Sequence, residues 1–143
     1  MIRKATRADI PALVELGVES VSRNPLPVKI DPGRMLECAQ ANVGNPAHFC
    51  WVGETAGKVD AGFAAVVQPG FWFKGLQASV LLYYARAPGN GVALVRQFVR
   101  WRDSRPAIKL AVLEFEPEAD PRLMRLFERL GFARRSMNLT YVR

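Results

Sequence analysis

The run Arg86-Ala-Pro-Gly89-Asn-Gly91 joins an apolar stretch, VLLYYA, to a helical pattern, VALVRQFVRW. The chemistry open to such a junction is anion binding. The first turn of a helix leaves backbone N–H groups unpaired, and the aligned peptide dipoles put partial positive charge there. Gly89 and Gly91 carry no side chain, so an anion such as a diphosphate can approach the N–H groups around Gly89 to Val92 directly. Arg86 would add a charge-assisted contact, and Ala87 keeps the approach small. Pro88 stiffens the loop but has no N–H to donate. Asn90 tolerates unusual backbone angles. The other reading is a tight strand-to-helix turn with Gly89 left-handed, and three fixed positions in six residues do not separate the two.

A second set of residues could move protons. Tyr83, Tyr84 and Tyr141 are the only tyrosines. On an extended strand Ser79, Leu81 and Tyr83 share one face, and Val80, Leu82 and Tyr84 the other. One tyrosine would then face a cleft while the other packs on a helix. Glu114 and Glu116 continue the face of Ile108, Leu110 and Val112, where a carboxylate at the end of an apolar face could act as a base of raised pKa. The bland alternatives are packed aromatics and solvated strand ends. His48, the single histidine, and Glu54 have the settings of structural or surface residues. Cys38 and Cys50 lack a metal-ligand or redox spacing, and no Ser-His-Asp set or metal cluster can be assembled.

Elements that would position these groups follow from periodicity. IRKAT alternates and predicts a strand. Ile10, Leu13, Val14, Gly17, Val18 and Val21 recur at helical spacing, with Thr6 or Asp9 as cap and Pro11 in the first turn. DPGRMLECAQANVGN offers Asp31 as N-cap, Pro32 at the first helical position and Gly44 as the stop. HFCWVGE and KVDAGFAAVVQ flank TAG, a short hairpin signal. PGFWFKG is an aromatic turn, and LQASVLLYYA a fourth strand. After the glycine loop VALVRQFVRWRDS predicts a helix. AIKLAVLEF is apolar enough for a central strand. DPRLMRLFERLGF opens on Asp-Pro and stops at Gly131, and RSMNLTYVR predicts a last strand. The order β-α-α-β-β-β-α-β-α-β predicts one α+β domain over residues 1–143, a mixed, mostly antiparallel sheet flanked by helices.

Composition narrows the class. The chain has 143 residues, half of them hydrophobic, which suits one domain with a core and excludes disorder. No apolar run approaches the ~20 residues of a membrane span, and no secretory signal follows the N-terminus, so a cytoplasmic protein is expected. The net charge of +7 is concentrated late, at Arg96, Arg100, Arg102, Arg105, Arg122, Arg125, Arg129, Arg134 and Arg135. Nucleic acid or a polyanionic small molecule would suit such a surface.

With these residues in place, the chain resembles the GNAT superfamily of acyl-CoA-dependent N-acyltransferases. RAPGNG fits that family's Gln/Arg-x-x-Gly-x-Gly/Ala motif, IRKATRADIPALVEL is similar to its opening strand and helix, VGETAGKVDAGF to its second hairpin, and RLFERLGF to its closing helix. Trp101 at a helix end, with no tyrosine in the closing helix, is similar to small members from bacteriophage genomes. The resemblance implies acetyl-CoA as acyl donor and a primary amine as acceptor. It implies pyrophosphate at the loop, and a pantetheine arm paired with the fourth strand at Leu81, Leu82 and Tyr84, in the manner of an added strand. Two departures stand out. The proline common before the motif is missing, and a shifted alignment that matches it to Pro88 takes Arg86 out of the motif. The tyrosine that many members carry in the last helix is Phe127 here, which leaves Tyr83 and Glu114 as candidate acid and base. A GNAT-like module without catalysis, acting on nucleic acid or a protein, is the alternative. The resemblance leaves room for a homodimer.

Overall fold

In the computed structural model, which describes residues 1–143, the alternating segments form one five-stranded sheet. Its strands β1 (Ile2–Lys4), β2 (Phe49–Thr55), β3 (Lys58–Pro69), β4 (Leu76–Ala85) and β5 (Ile108–Val112) lie side by side in chain order. The first three pairings are antiparallel, and β4 with β5 is parallel. Antiparallel neighbours need only short turns, whereas a parallel pair needs a crossover. Here α3 (Pro88–Asp103) supplies it. The other helices are α1 (Ile10–Arg23), α2 (Pro32–Asn42) and α4 (Pro121–Arg129).

The two faces of the sheet carry separate cores. On one, Leu94, Val95 and Phe98 of α3 and Phe127 of α4 pack on Phe49, Ala61, Phe63, Ala65 and Ala78. On the other, Ile10 and Leu13 of α1 join Ala5, Val43 and Val52. Fully burying one such large side chain stabilises the fold by about 1.5–3 kcal/mol relative to leaving it exposed.

Local signals account for most boundaries. The Asp31 carboxylate accepts from the N–H groups of Gly33 and Arg34 at 2.8 and 3.4 Å, and Asp120 accepts from Arg122 at 2.9 Å. A proline follows each, at the first helical position where its missing N–H costs nothing. Ala56 and Gly57 turn the β2–β3 hairpin with φ of 52° and 74°, the two positive angles that match the twist of the flanking strands. Near the N-terminus Asp9 is buried and accepts from the Thr6 N–H at 2.7 Å and from Arg3 at 2.7 and 2.8 Å. These bonds hold its carboxyl down at about 2 against the opposing effect of burial, with the Arg3 bond the largest influence. Arg3 also reaches Glu54 at 2.5 Å, so Glu54 belongs to a buried-edge ion cluster rather than to the open surface.

Three expectations are corrected. The helix after the glycine loop begins at Pro88 rather than Val92, so Pro-Gly-Asn-Gly is its first turn. Proline's fixed φ is preorganised for the first helical position, and this outweighs the two glycines. The AIKLAVLEF strand stops at Val112 and is an edge, not a central strand. The cause is the third correction: RSMNLTYVR forms no strand. Met137, Leu139 and Tyr141 alternate as a strand would, yet all three are exposed. Strand preference is a preference for a half-buried pleated surface, and no neighbour provides one here.

Candidate functional site

The first turn of α3 has no capping side chain, because Ala87 occupies the N-cap. Pro88 has no N–H, so the unpaired donors of the turn are the N–H groups of Gly89 and Asn90. Gly89 is helical and does not take the left-handed conformation required by the plain-turn reading. A Cβ built on it meets no atom within 4 Å and the residue is exposed, so nothing packs over Gly89. Gly91 is different. A Cβ there would lie 2.8 Å from the Tyr83 hydroxyl and 2.9 Å from the Ala85 Cβ, so Gly91 lets the helix sit directly on β4.

The side chains around this turn fix its position. The Asn90 amide donates to Thr55 Oγ1 at 3.2 Å and Asp60 Oδ1 at 2.8 Å, tying the helix to the β2–β3 hairpin. Burial opposes ionisation of Asp60, but the bonds from Thr55 and Asn90 prevail and hold its carboxyl below its ordinary range. Arg86 does not reach over the turn. Its guanidinium pairs with Glu15 at 2.7 Å and Glu19 at 3.0 Å, both on α1, and its backbone N–H donates to Asp60 O at 2.9 Å. The Arg86 bond holds the Glu19 carboxyl below its usual pKa.

Next to the helix start lies an open sheet edge. β5 pairs with β4 only from Leu76 to Ser79. Beyond that the strands part, and the β4 backbone groups from Val80 to Ala85 that point away from β3 have no strand partner. The ladder with β3 shifts register between Ala64 and Ala65, which pair with Leu82 and Val80, so Leu81 is the extra, half-exposed residue of a bulge. A bulge bends its strand and re-aims its groups.

Tyr83 and Tyr84 point to opposite faces, as the alternation requires. Tyr83 lies on the α3–α4 side, edge-on to Phe127 with ring centroids 5.4 Å apart, and burial pushes its pKa up to about 12. Phe127 is buried among Phe63, Tyr83, Phe115 and Phe132. Tyr84 lies against α1, with the Arg23 guanidinium 5.7 Å from its ring centroid. Its buried hydroxyl makes no hydrogen bond of normal geometry. Burial first, and then the nearby Glu19, raise its pKa. Glu114 is not brought to this edge as a strand residue. It lies beyond the end of β5, exposed, and accepts from Asn138 Nδ2 at 3.2 Å. Glu116 likewise follows the strand.

The remaining candidates have structural or surface positions. His48 Nδ1 accepts from the Val67 N–H at 2.9 Å, which ties the ring to β3. The aromatic turn exposes Phe71 and Trp72 at the far end of β4 from α3, about 30 Å of strand away. Arg122 pairs with its own cap Asp120. Arg102 covers Phe132 and Arg105 covers Trp101, which leaves Arg96 and Arg100 as the exposed cations of α3.

One feature of the site was not anticipated. Between α1, α2 and the sheet is an open cavity of about 270 Å³, and 13 of its 16 lining residues are hydrophobic. Leu81 and Leu82 form part of its wall, so it adjoins the bulged, unpaired segment of β4. The sequence signal was the breadth of the α1 apolar stripe. Val14 and Val21 extend it beyond what the core buries, and both line the cavity.

The whole chain superimposes on solved acetyltransferase structures. A predicted acetyltransferase with acetyl-CoA from Clostridium acetobutylicum has a TM-score of 0.76 at 19% identity, covering 99% of this chain and 95% of that one. The fold is that of the GNAT acyltransferases. An aminoglycoside acetyltransferase from an uncultured soil metagenomic sample, in complex with sisomicin, has a TM-score of 0.68 at 11% identity, covering 100% and 94%. A transcriptional regulator from Bacillus halodurans has a TM-score of 0.73 at 17% identity, covering 99% and 99%. No family model and no curated protein matches the sequence. No helix is long and apolar enough to cross a membrane. At these identities the GNAT likeness concerns the fold, and the substrate has to be argued from the site.

Proposed function

We propose that the protein is a cytoplasmic N-acetyltransferase that moves an acetyl group from acetyl-CoA to a primary amine. The observation that carries this is the open, uncapped first turn of α3 beside the unpaired edge of β4. A ligand with a diphosphate and an amide-bearing arm matches both: anionic oxygens for the N–H groups of Gly89 and Asn90, and peptide-like groups for the backbone around Leu81, Leu82 and Tyr84. Ala87, Gly91 and Val92 complete the turn without a side chain that closes it. In this reading Arg86 holds the turn in place through α1 rather than contacting the phosphates.

In the reaction the amine nitrogen attacks the thioester carbonyl carbon, the carbon–sulfur bond breaks, the nitrogen loses a proton and the departing thiolate gains one. Placing amine and thioester together supplies much of the rate. With phenylalanine at 127, Tyr83 is the group we assign to thiolate protonation, because its ring stands directly beside Phe127. Like any tyrosine it is protonated at neutral pH, and burial, which pushes its pKa up to about 12, reinforces that state. Glu114, exposed beyond β5, would need to approach from solvent to serve as base.

Thermal unfolding with and without acetyl-CoA, in the wild type and in Gly89→Glu, tests this reading. At a hundredfold excess over Kd, linkage predicts about 2.7 kcal/mol of stabilisation in the wild type. Gly89→Glu has room for its side chain, and a carboxylate near a helix N-terminus is favourable, so the variant should fold while repelling the diphosphate. No shift in the wild type at millimolar acetyl-CoA would refute the proposal. A shift that survives in the variant would move the phosphate site elsewhere.

The second reading, a module that binds nucleic acid, draws on the charge of +7, the exposed Arg96 and Arg100, and the likeness to a transcriptional regulator. Steeply salt-dependent binding of duplex DNA, indifferent to acetyl-CoA, would favour it.

A further inference from the structure

We infer that the cavity between α1, α2 and β4 holds the apolar body of the acceptor, so that the acceptor is a primary amine bearing an aryl or alkyl group rather than a polyol or a polycation. This rests on the acetyl-transfer reading and adds the substrate class.

The cavity follows from how α2 is held. None of its residues is fully buried, and it packs on α1 rather than on the strands. The gap beneath it is lined by Met35 and Ala39 of α2, Val14 and Val21 of α1, and Leu81 and Leu82 of β4. No charged side chain lines it. Its polar side chains are those of Ser20 and Asn42, and the Asn42 amide already donates to Cys38 O at 2.7 Å. A sugar or a second ammonium group placed here would lose water and gain almost no partner. An aryl or alkyl group would lose nothing and remove apolar wall from water. Size agrees: an engineered cavity of about 150 Å³ binds benzene, so about 270 Å³ suits one ring with a short chain.

The position of the wall links this pocket to the reaction. Leu81 is the bulged residue of the unpaired β4 segment, and Leu82 follows it. An amine whose body fills the pocket therefore has its nitrogen at the edge where the acyl donor would lie, which is the arrangement that proximity catalysis needs.

The test compares 2-phenylethylamine and hexylamine with ethanolamine and kanamycin as acceptors, using acetyl-CoA as donor. The two apolar amines should exceed ethanolamine in kcat/KM by about tenfold or more, since each buried methylene is worth at least severalfold. Ala39→Trp, which fills the cavity from α2, should lower kcat/KM for the two apolar amines far more than for ethanolamine and so remove that advantage, while acetyl-CoA still shifts the unfolding temperature. Val21→Trp fills it from α1 and should behave alike if the first variant disturbs α2. Preference for ethanolamine or kanamycin would overturn the inference, and so would equal losses for all amines in both variants. It also fails if octanoyl-CoA becomes the better donor and Ala39→Trp abolishes that preference, because the pocket would then hold the acyl chain. Calorimetric titration with 2-phenylethylamine alone separates this inference from the one beneath it. Heat that disappears in Ala39→Trp supports the pocket independently of turnover, and a flat wild-type titration sinks it even where acetyl-CoA binds.

Discussion

Gly91→Ala should destabilise the protein although alanine is the better helix former. The added Cβ would stand 2.8 Å from the Tyr83 hydroxyl and 2.9 Å from the Ala85 Cβ, both inside normal contact. Neither neighbour can easily retreat. Tyr83 is packed against Phe63 and Phe127, and Ala85 is paired with Ala61. The helix cannot slide because Asn90 is bonded to Thr55 and Asp60. Overpacking of this kind costs about 1–3 kcal/mol, and replacing glycine by alanine within a helix returns about 0.5–1. The difference is a net loss of up to about 2.5 kcal/mol, or a fall in Tm of up to several degrees. Gly89→Ala is the control, since its Cβ meets nothing within 4 Å, and it should be neutral or slightly stabilising. Tyr83→Phe removes the oxygen of the closer contact and should recover part of the Gly91→Ala loss, with a coupling of about 0.5–1 kcal/mol between the two sites. Urea denaturation followed by circular dichroism measures the wild type, the three single variants and the Gly91→Ala/Tyr83→Phe double variant. Equal stability of Gly91→Ala and Gly89→Ala would refute the close seating of α3 on β4. With it would go the account of why burial raises the Tyr83 pKa.

Acid unfolding should report Asp9. Its carboxyl is held at about 2 when folded and has an ordinary value of 3.8 when unfolded, so its stabilisation is complete above about pH 4 and is lost as pH falls through about 2. That shift corresponds to about 2 kcal/mol, and Asp9→Asn should remove this part of the acid limb in urea titrations between pH 5 and pH 2. Phe127→Ala should cost about 3–5 kcal/mol, because Phe127 is buried in the aromatic cluster of Phe63, Tyr83, Phe115 and Phe132. Phe127→Tyr, measured by the same unfolding assay, should cost about 1–3 kcal/mol through a hydroxyl left without a partner among those rings.

The residues whose signals are local were legible in the sequence. Asp31-Pro32 and Asp120-Pro121 carry their own capping chemistry, and both helices start where that chemistry places them. Ala56-Gly57 marks its hairpin for the same reason. Features that depend on a distant partner were not legible. RSMNLTYVR has the alternation of a strand, but alternation does not supply a neighbouring edge, and without one β5 became the boundary of the sheet. Arg86 was readable as a cation beside a helix start. That its guanidinium turns to Glu15 and Glu19 depends on where α1 packs, 67 and 71 residues earlier in the chain. The cavity was invisible for a similar reason. A broad apolar stripe predicts burial, and only the stand-off of α2 leaves Val14 and Val21 lining a gap.

The position of Arg86 also says what kind of work its charge does. Glu15 is well exposed and Arg86 and Glu19 are partly so, and ion pairs in such settings contribute about 0–1 kcal/mol. Stability is therefore a poor reason for the arrangement, and geometry is a better one. Arg86 sits between the end of β4 and the first turn of α3, while Glu15 and Glu19 sit on the helix that supplies Gly17, Ser20 and Val21 to the cavity wall. The pairing thus joins the first turn of α3, the proposed diphosphate site, to one wall of the proposed acceptor pocket. Moving α1 relative to α3 would change the distance between a bound amine and a bound thioester, and displacements of about 1 Å can alter rates of such reactions about a hundredfold. A clamp of small energy placed across that distance can therefore matter more to turnover than to folding.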